Sequence, residues 1–504
     1  VKAKGTVYLV GAGPGDAGLL TLRGAELLAR ADVVVYDALV NKDLLRLSPK
    51  TAEIIYGGKR SKDHAIPQDE LNGLLVTKAR EGKTVVRLKG GDPYIFGRGG
   101  EEAEELAAAD IPYEVVPGVS STVAGPNYAG IPITHRDHCS SFTVITGHED
   151  PTKEEPAIDW AQVAKIPGTK VVLMGVQHIR QIADALVANG MSPATPIAMV
   201  RWGTTGQQQS IEGSLATIAD EVEKAQFTAP AVTVIGDVVK LRKNLNWYEK
   251  RALFGKRIVV TRTREQASQL SRQLAELSAE VLEIPTIKIV PTDKRSDLAD
   301  ALLELNSYDW IVFTSPNGVM MFFEAFFKAF EDMRDLGGAR IAAVGPATAA
   351  RLKELRLKVD LMPEEYVSAK IARAFAEYES IENLKILLMR AEVASPELPK
   401  ELEAMGAIVD DVACYKTIPE TEDVTGAAEK LLESGADWIT FTSSSTVEHF
   451  HARFNLPALM KKFPQIKLAS IGPETSKALA ALGLKPTVEA RPHTIERLVK
   501  AVAG

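Results

Sequence analysis

Short apolar runs recur along the chain at residues 7–10, 33–36, 85–88, 142–146, 171–174 and 231–235, each rich in β-branched residues. Runs of that length, bounded by glycine, proline and charged residues, predict strands buried on both faces. Between them lie longer stretches in which apolar positions return every three or four residues, as in 267–277, and these predict amphipathic helices. Strands alternating with such helices predict an α/β class built on parallel sheets.

The pattern changes character at "NLNWYEKRALFGKRIVVTR", where a polar, aromatic stretch precedes a fresh strand-like run at 258–261. Beyond it the chain repeats itself. "YDWIVFTSPNGV" returns as "ADWITFTSSSTV", so that Asp309, Trp310, Phe313, Thr314 and Ser315 correspond to Asp437, Trp438, Phe441, Thr442 and Ser443. Arg262 and Arg390 are separated by the same interval, and Gly345 and Gly472 by one residue less. Three blocks in register indicate a duplicated unit, and a cleft between duplicated lobes is the default ligand site. Pro117-Gly118 divides the front half. The expected organisation is 1–116 and 117–247, a linker at 248–255, and a duplicated unit at 256–504.

At 504 residues the chain exceeds what one hydrophobic core supports. Two cysteines, Cys139 and Cys414, exclude a disulfide framework and a thiolate cluster. With no charged-then-apolar leader and no long apolar run, the expected compartment is the cytoplasm, with no membrane partner. The net charge of −7 disfavours nucleic acid. Cations beside glycines or at strand ends, namely Lys59, Arg60, Arg87, Lys89, Arg98, Arg262, Arg264 and Arg390, point instead to carboxylates or phosphates on a small molecule. No HxxxH or carboxylate cluster calls for a metal.

"VGAGPGD" offers most of a dinucleotide-binding fingerprint, with Asp37 after the second strand as its acidic partner. The third glycine is replaced by Asp16, whose carboxylate would compete with a pyrophosphate at the helix N-terminus. Pro14 removes a further N–H donor. The loop therefore suits a ligand that is uncharged or cationic there. "LKGGDPYIFGRGGEE" gathers five glycines around Asp92-Pro93, a density that implies close backbone approach to a ligand.

These motifs, followed by "VPGVSS", "YAGIPITHR" and "TGH", resemble the S-adenosylmethionine-dependent uroporphyrinogen-III C-methyltransferases of the tetrapyrrole methylase family. The resemblance spans residues 1 to about 247 and implies a two-domain methylase fold acting as a homodimer. It implies a pocket for S-adenosylmethionine, released as S-adenosylhomocysteine, lined by Pro14, Gly90, Gly91, Asp92, Ile95, Ser120, Ser121, Met174 and Gly203 and completed by Pro230 and Ala231. It marks Asp37 and Lys59 as acid/base candidates, and Arg60, Arg98 and Arg136 as contacts for substrate. Methylating a pyrrole carbon needs a base for the ring N–H proton as the C–C bond forms, which suits an ionised Asp37.

In the second half, "VVTRTREQASQL", "FTSPNGV", "VGPATA", "VACYKT", "FTSSSTV" and "IGPETS" resemble uroporphyrinogen-III synthase, over residues 255–504. The two GPxT corners and the two FTS corners each precede a helix and read as anion-holding positions. Arg262, Thr314, Ser315, Thr348, Ser443 and Thr475 are the expected substrate contacts, and Tyr415 the expected catalytic residue. The resemblance implies one lobe from 256–290 with 418–504 and another from 291–417. Together the halves would close hydroxymethylbilane to uroporphyrinogen III with ring D inverted, then methylate it twice to precorrin-2. The alternatives are a sister methylase carrying a non-catalytic ligand-sensing half, and a nicotinamide oxidoreductase fused to a binding module. Ser278, Arg356 and Asp110 stand where these families carry turn glycines.

Overall fold

The computed structural model describes residues 4–58, 67–148, 158–262, 264–364, 368–423 and 425–504. Four five-stranded sheets organise them, and the α/β class expected from the alternating pattern is what the chain adopts.

The first sheet contains β1 (Val7–Gly11), β2 (Val33–Tyr36), β3 (Glu53–Tyr56), β4 (Val85–Lys89) and β5 (Tyr113–Val116), all parallel, in the order β3-β2-β4-β1-β5. Helices cover both faces. Val7, Leu9, Val33 and Val35 pack on the helices Gln68–Arg80 and Gly99–Ala108, while Val10, Val34, Val86 and Leu88 pack with Leu27 and Leu28 on the opposite side. That two-sided burial is why β1 and β2 read as nearly unbroken apolar runs.

The second sheet contains β6 (Phe142–Thr146), β7 (Thr169–Leu173), β8 (Pro196–Arg201), β9 (Gln209–Ser214) and β10 (Ala231–Ile235), in the order β6-β7-β10-β8-β9. It is mixed, with β10 antiparallel to both neighbours and β8 antiparallel to β9. The seven residues 202–208 between β8 and β9 are too few for a parallel crossover, which needs a dozen or more.

The second half divides its strands between two sheets. The third sheet is fully parallel: β11 (Arg257–Val260), β12 (Glu280–Glu283), β18 (Trp438–Phe441), β19 (Lys467–Ser470) and β20 (Val488–Glu489), in the order β12-β11-β18-β19-β20. The fourth holds β13 (Ile287–Pro291), β14 (Trp310–Phe313), β15 (Arg340–Ala343), β16 (Lys385–Ala391) and β17 (Ile408–Pro419), in the order β13-β17-β16-β14-β15. The duplicated units exchange strands. β11 of the first copy pairs with β18 of the second, and β14 of the first pairs with β16 of the second.

The chain enters the fourth sheet earlier than residue 291. Ile287–Pro291 is antiparallel to β17, with Ile287 opposite Pro419, so the strand lies wholly in this sheet and not in the segment expected to end at 290. Both crossings thus join carboxyl edges, Glu283 of β12 leading to Ile287 beside the end of β17. Arg453 staples them, its guanidinium donating to the carbonyls of Pro285 (3.5 Å), Glu420 (3.1 Å) and Thr421 (2.8 Å).

Candidate functional site

Parallel sheets place ligand-binding loops at the carboxyl ends of their strands, where the order of connection reverses. In the first sheet the loops after β4, β1 and β5 meet there. Gly13 and Gly91 exchange backbone hydrogen bonds of 3.2 and 2.7 Å. A Cβ at Gly11 would lie 2.5 Å from Gly118 Cα, and one at Gly118 only 2.2 Å from the Gly91 carbonyl oxygen. Asp92 locks the junction, accepting from the N–H groups of Gly118 (3.0 Å) and Tyr94 (2.8 Å). The glycines are required by backbone touching backbone, and side chains contribute little to this wall.

The second sheet brings a facing wall to the same place. Met174 follows β7, Gly203 follows β8, and Pro230 and Ala231 open β10; because β10 is antiparallel to both, all four lie on one edge, with Val232 opposite Leu173 and Ala231 opposite Arg201. The helix Ser121–Tyr128, capped by the Ser120 hydroxyl, ties this edge to the first: Gly125 touches Gly203 and Val232, and Ser120 and Ser121 lie beside Gly91. Gly15 lies against Thr204 and Thr205, carrying Pro14 with it. The structure therefore brings together Pro14, Gly90, Gly91, Asp92, Ser120, Ser121, Met174, Gly203, Pro230 and Ala231. An open pocket of about 380 Å³ adjoins them, lined by Tyr94, Phe96, Arg98, Gly99, Gly100, Glu101 and Met174. Ile95 is exposed beside it. Phe96, Arg98 and Met174 hold φ of 52°, 58° and 56°, a left-handed conformation that non-glycine residues adopt at a cost of about 1 kcal/mol each.

Asp37 sits at the end of β2. Its oxygens accept from the N–H groups of Gly90, at 3.3 Å to each, and of Leu39 (3.3 Å), with Arg87 Nη2 at 3.8 Å. The side chain is 27% exposed, so one side of the carboxylate faces solvent. Lys59 and Arg60 lie outside the described residues. Arg98 is exposed and paired with Glu101 at 2.5 Å, and Arg136 is exposed on the loop that follows Ile133.

Arg87 and Lys89 are not ligand-facing loop cations. Both belong to β4, are almost fully buried, and converge on one oxygen of Glu102, at 3.1 and 2.8 Å. Burial and the neighbouring Arg87 hold the Lys89 ammonium below its ordinary pKa. Arg390, expected in a similar role, is likewise buried and forms a bidentate pair with Asp411.

In the second half the expected contacts lie at the carboxyl edges of the third and fourth sheets, next to the two crossings. Thr314 and Ser315 follow β14, Ser443 follows β18, and Arg262 follows β11. Ser315 Oγ accepts from the Gly318 N–H at 3.1 Å and lies 2.9 Å from the Tyr415 hydroxyl. Tyr415 is only 7% exposed, and burial raises its phenol above the ordinary value, against the lowering effect of Ser315. Ser443 closes a capping box with Thr446. Thr348 and Thr475 are buried, each in the first turn of its helix. What these corners present is backbone: the helices Pro346–Glu354 and Pro473–Ala481 begin at Gly345 and Gly472 with no side-chain cap, leaving first-turn N–H groups for an anion.

Comparison with known proteins matches a different family model to each half of the chain. Residues 6–219 match the family model of tetrapyrrole (corrin/porphyrin) methylases, and residues 268–500 that of uroporphyrinogen-III synthase HemD. The porphyrin biosynthesis protein HemD of Ruminiclostridium josui is 40% identical over 98% of this chain and 97% of its own. The chain belongs to the family of fused tetrapyrrole methylases and uroporphyrinogen-III synthases. The S-adenosyl-L-methionine-dependent uroporphyrinogen III methyltransferase of Methanosarcina barkeri (strain Fusaro / DSM 804) is 54% identical over 47% of this chain and 93% of its own. A crystal structure of uroporphyrin-III C-methyl transferase from Thermus thermophilus, complexed with S-adenyl homocysteine, is 40% identical, covering 47% of this chain and all of that one with a TM-score of 0.41.

Two features of the methylase half escaped the sequence reading. Glu102 is the buried counter-ion of Arg87 and Lys89; the signal available was two cations two residues apart on one face of a strand. Asp16, read only for the ligand it would repel, is engaged by the protein itself. Its carboxylate accepts from the Gly18 N–H (2.8 Å) and from the Tyr128 hydroxyl (2.8 Å). Among the described residues no group of three or more potential metal ligands occurs, and no helix is long and apolar enough to cross a membrane.

Proposed function

We propose that this cytoplasmic chain carries out two consecutive steps of tetrapyrrole synthesis. The synthase half closes hydroxymethylbilane to uroporphyrinogen III with inversion of ring D. The methylase half then transfers two methyl groups from S-adenosylmethionine to give precorrin-2 and S-adenosylhomocysteine, working as a homodimer through that half. The observation that carries the reading is the convergence of strand-end loops from both sheets of the first half on one backbone-lined cradle.

The cradle fits the cofactor. Gly91 and Gly100 leave room where a side chain would stand, Met174 supplies an apolar surface, and the Asp16 carboxylate at the loop is compatible with a cation. S-adenosylmethionine supplies, when bound, an electrophilic methyl group on a sulfonium. The protein's work is alignment, worth several orders of magnitude in rate when the reacting atoms are held in line. Gly90, Gly91 and Asp92 fix the cofactor wall, and Asp37, held by the Gly90 and Leu39 N–H groups, accepts the pyrrole N–H proton as the ring carbon gains its methyl. In the synthase half, Tyr415 stays neutral and donates through its hydroxyl to the departing hydroxyl of the bilane. The uncapped helix ends at Gly345 and Gly472 hold substrate carboxylates while the terminal pyrrole turns over.

Each half has its own test. Uroporphyrinogen III and methyl-labelled S-adenosylmethionine, supplied directly, should give a product carrying two labelled methyl groups; no incorporation would overturn the methylase reading. Hydroxymethylbilane alone should give the type III isomer, and type I alone would indicate a non-catalytic second half.

A further inference from the structure

The loop between β1 and the first helix is not held by its own subdomain alone. Asp16 is gripped at both ends from across the half: its N–H donates to Thr204 Oγ1 at 3.0 Å, and its carboxylate accepts from Tyr128 Oη at 2.8 Å. Thr204 and Tyr128 are themselves linked, the Thr204 N–H donating to Gln208 Oε1 (3.0 Å) and Gln208 Nε2 to the Tyr128 carbonyl (3.3 Å). Tyr128 lies against two aromatic residues from the seam between the halves, Trp247 and Tyr248, each with a ring centroid 4.9 Å away. Trp247 Nε1 donates to the Asn127 carbonyl (3.2 Å), and the Arg251 guanidinium covers the Trp247 ring at 4.6 Å.

The same seam is fastened to the synthase half. Ser278 Oγ donates to the Tyr248 carbonyl (3.0 Å), Arg251 Nη1 to the Glu276 carbonyl (2.7 Å), and the Leu253 N–H to the Leu277 carbonyl (3.1 Å). Tyr248 is 4% exposed. Residues 247–253 therefore form a packed strut whose aromatic end bears on the residue that holds the cofactor loop.

We propose that Tyr128 is a positioning residue for the cofactor loop, acting through Asp16, and that Trp247 and Tyr248 complete this support. The proposal rests on the reading of the Gly11–Asp16 turn as part of the S-adenosylmethionine site. A neutral phenol is the donor the bond requires. Burial and the Asp16 carboxylate both push the Tyr128 phenol upward, so it keeps its proton throughout the working range. Losing that donor frees one carboxylate oxygen and loosens the turn before ligand binds, so affinity falls while the chemistry of a bound cofactor is untouched. Tyr128 touches no reacting atom.

The test is calorimetric titration of the full chain with S-adenosylhomocysteine, together with methyl-transfer kinetics. Tyr128→Phe should weaken binding and raise the cofactor KM about tenfold, the effect of one hydrogen bond to a charged group. Its kcat at saturating cofactor should stay within about twofold of wild type. Asp16→Asn combined with Tyr128→Phe should bind no more weakly than the worse single variant, because both act through one bond. Trp247→Leu, which keeps the hydroxyl but removes a supporting ring, should weaken binding in the same direction and decides the matter should Tyr128→Phe fail to fold. Failure of the wild-type chain to bind S-adenosylhomocysteine would overturn the cofactor reading itself. Wild-type binding with undiminished affinity in Tyr128→Phe and Trp247→Leu, or fully additive losses in the cycle, would overturn the positioning role alone.

Discussion

Lys89 Nζ lies 2.8 Å from Glu102 Oε1, and the carboxylate that receives it is completely buried. The same oxygen accepts from Arg87 Nε, so two enclosed cations share this buried anion beneath the glycine loop, with the Asp37 carboxylate 3.8 Å from Arg87 Nη2 as the second negative charge nearby. Removing one partner of a buried ion pair leaves uncompensated charge and costs about 3–5 kcal/mol. Glu102→Ala should therefore lower the unfolding free energy of the methylase half by about 3 kcal/mol in urea titration. A loss below about 1 kcal/mol would mean that the three charges are better solvated than their burial indicates.

At Gly118 the constraint is steric. A methyl group there would stand 2.2 Å from the Gly91 carbonyl oxygen, which is backbone and cannot rotate away. Gly118→Ala should abolish S-adenosylhomocysteine binding in calorimetry while leaving cyclisation of hydroxymethylbilane intact. Retained binding would show that the two loops do not need their close approach.

Tyr415 and Ser315 meet at 2.9 Å on the carboxyl edge of the fourth sheet. Tyr415→Phe removes the only part of that side chain able to donate a proton, and the rate of type III formation should fall about tenfold or more. Product analysis should show the type I share rising in proportion. An unchanged isomer ratio and rate would make Tyr415 a core residue.

Arg356 has φ of 64° and Ser278 of 68°, whereas the corresponding turns of the second copy carry Gly406 at 89° and Gly483 at 72°. Glycine adopts that conformation without strain, so Arg356→Gly should gain about 1 kcal/mol, read as a raised Tm. Ser278→Gly should gain less or nothing, because it also forfeits the hydrogen bond to the Tyr248 carbonyl.

Alkaline stability follows from the seam. Burial raises the Tyr248 phenol to about 12 from the ordinary 10. Below pH 10 both folded and unfolded chains keep the proton, and this contribution to stability is fully present. Between pH 10 and about 12 the unfolded chain releases a proton that the folded chain retains, so stability falls as pH rises. Tyrosinate absorbance should show a late-ionising population that appears only with unfolding, and Tyr248→Phe should remove part of the alkaline decline.

Much of this was legible from residue pattern. The runs at 7–10 and 33–36 became strands because parallel strands buried on both faces leave nearly unbroken apolar stretches. β3 and β5 were not legible: Glu53–Tyr56 and Tyr113–Val116 are edge strands, partly exposed, and their polar residues break the run. The glycine loops could be found because close backbone approach leaves a compositional trace. Tyr128 left none, since its role depends on partners brought near only by the fold, and Glu102 left only the indirect trace of Arg87 and Lys89 two residues apart on β4.

The most direct measurement is a single incubation of the full chain with hydroxymethylbilane and S-adenosylmethionine, with products oxidised and resolved by isomer and methylation state. The account predicts type III products carrying two added methyl groups. Type I porphyrin without added methyl groups would contradict it in both halves.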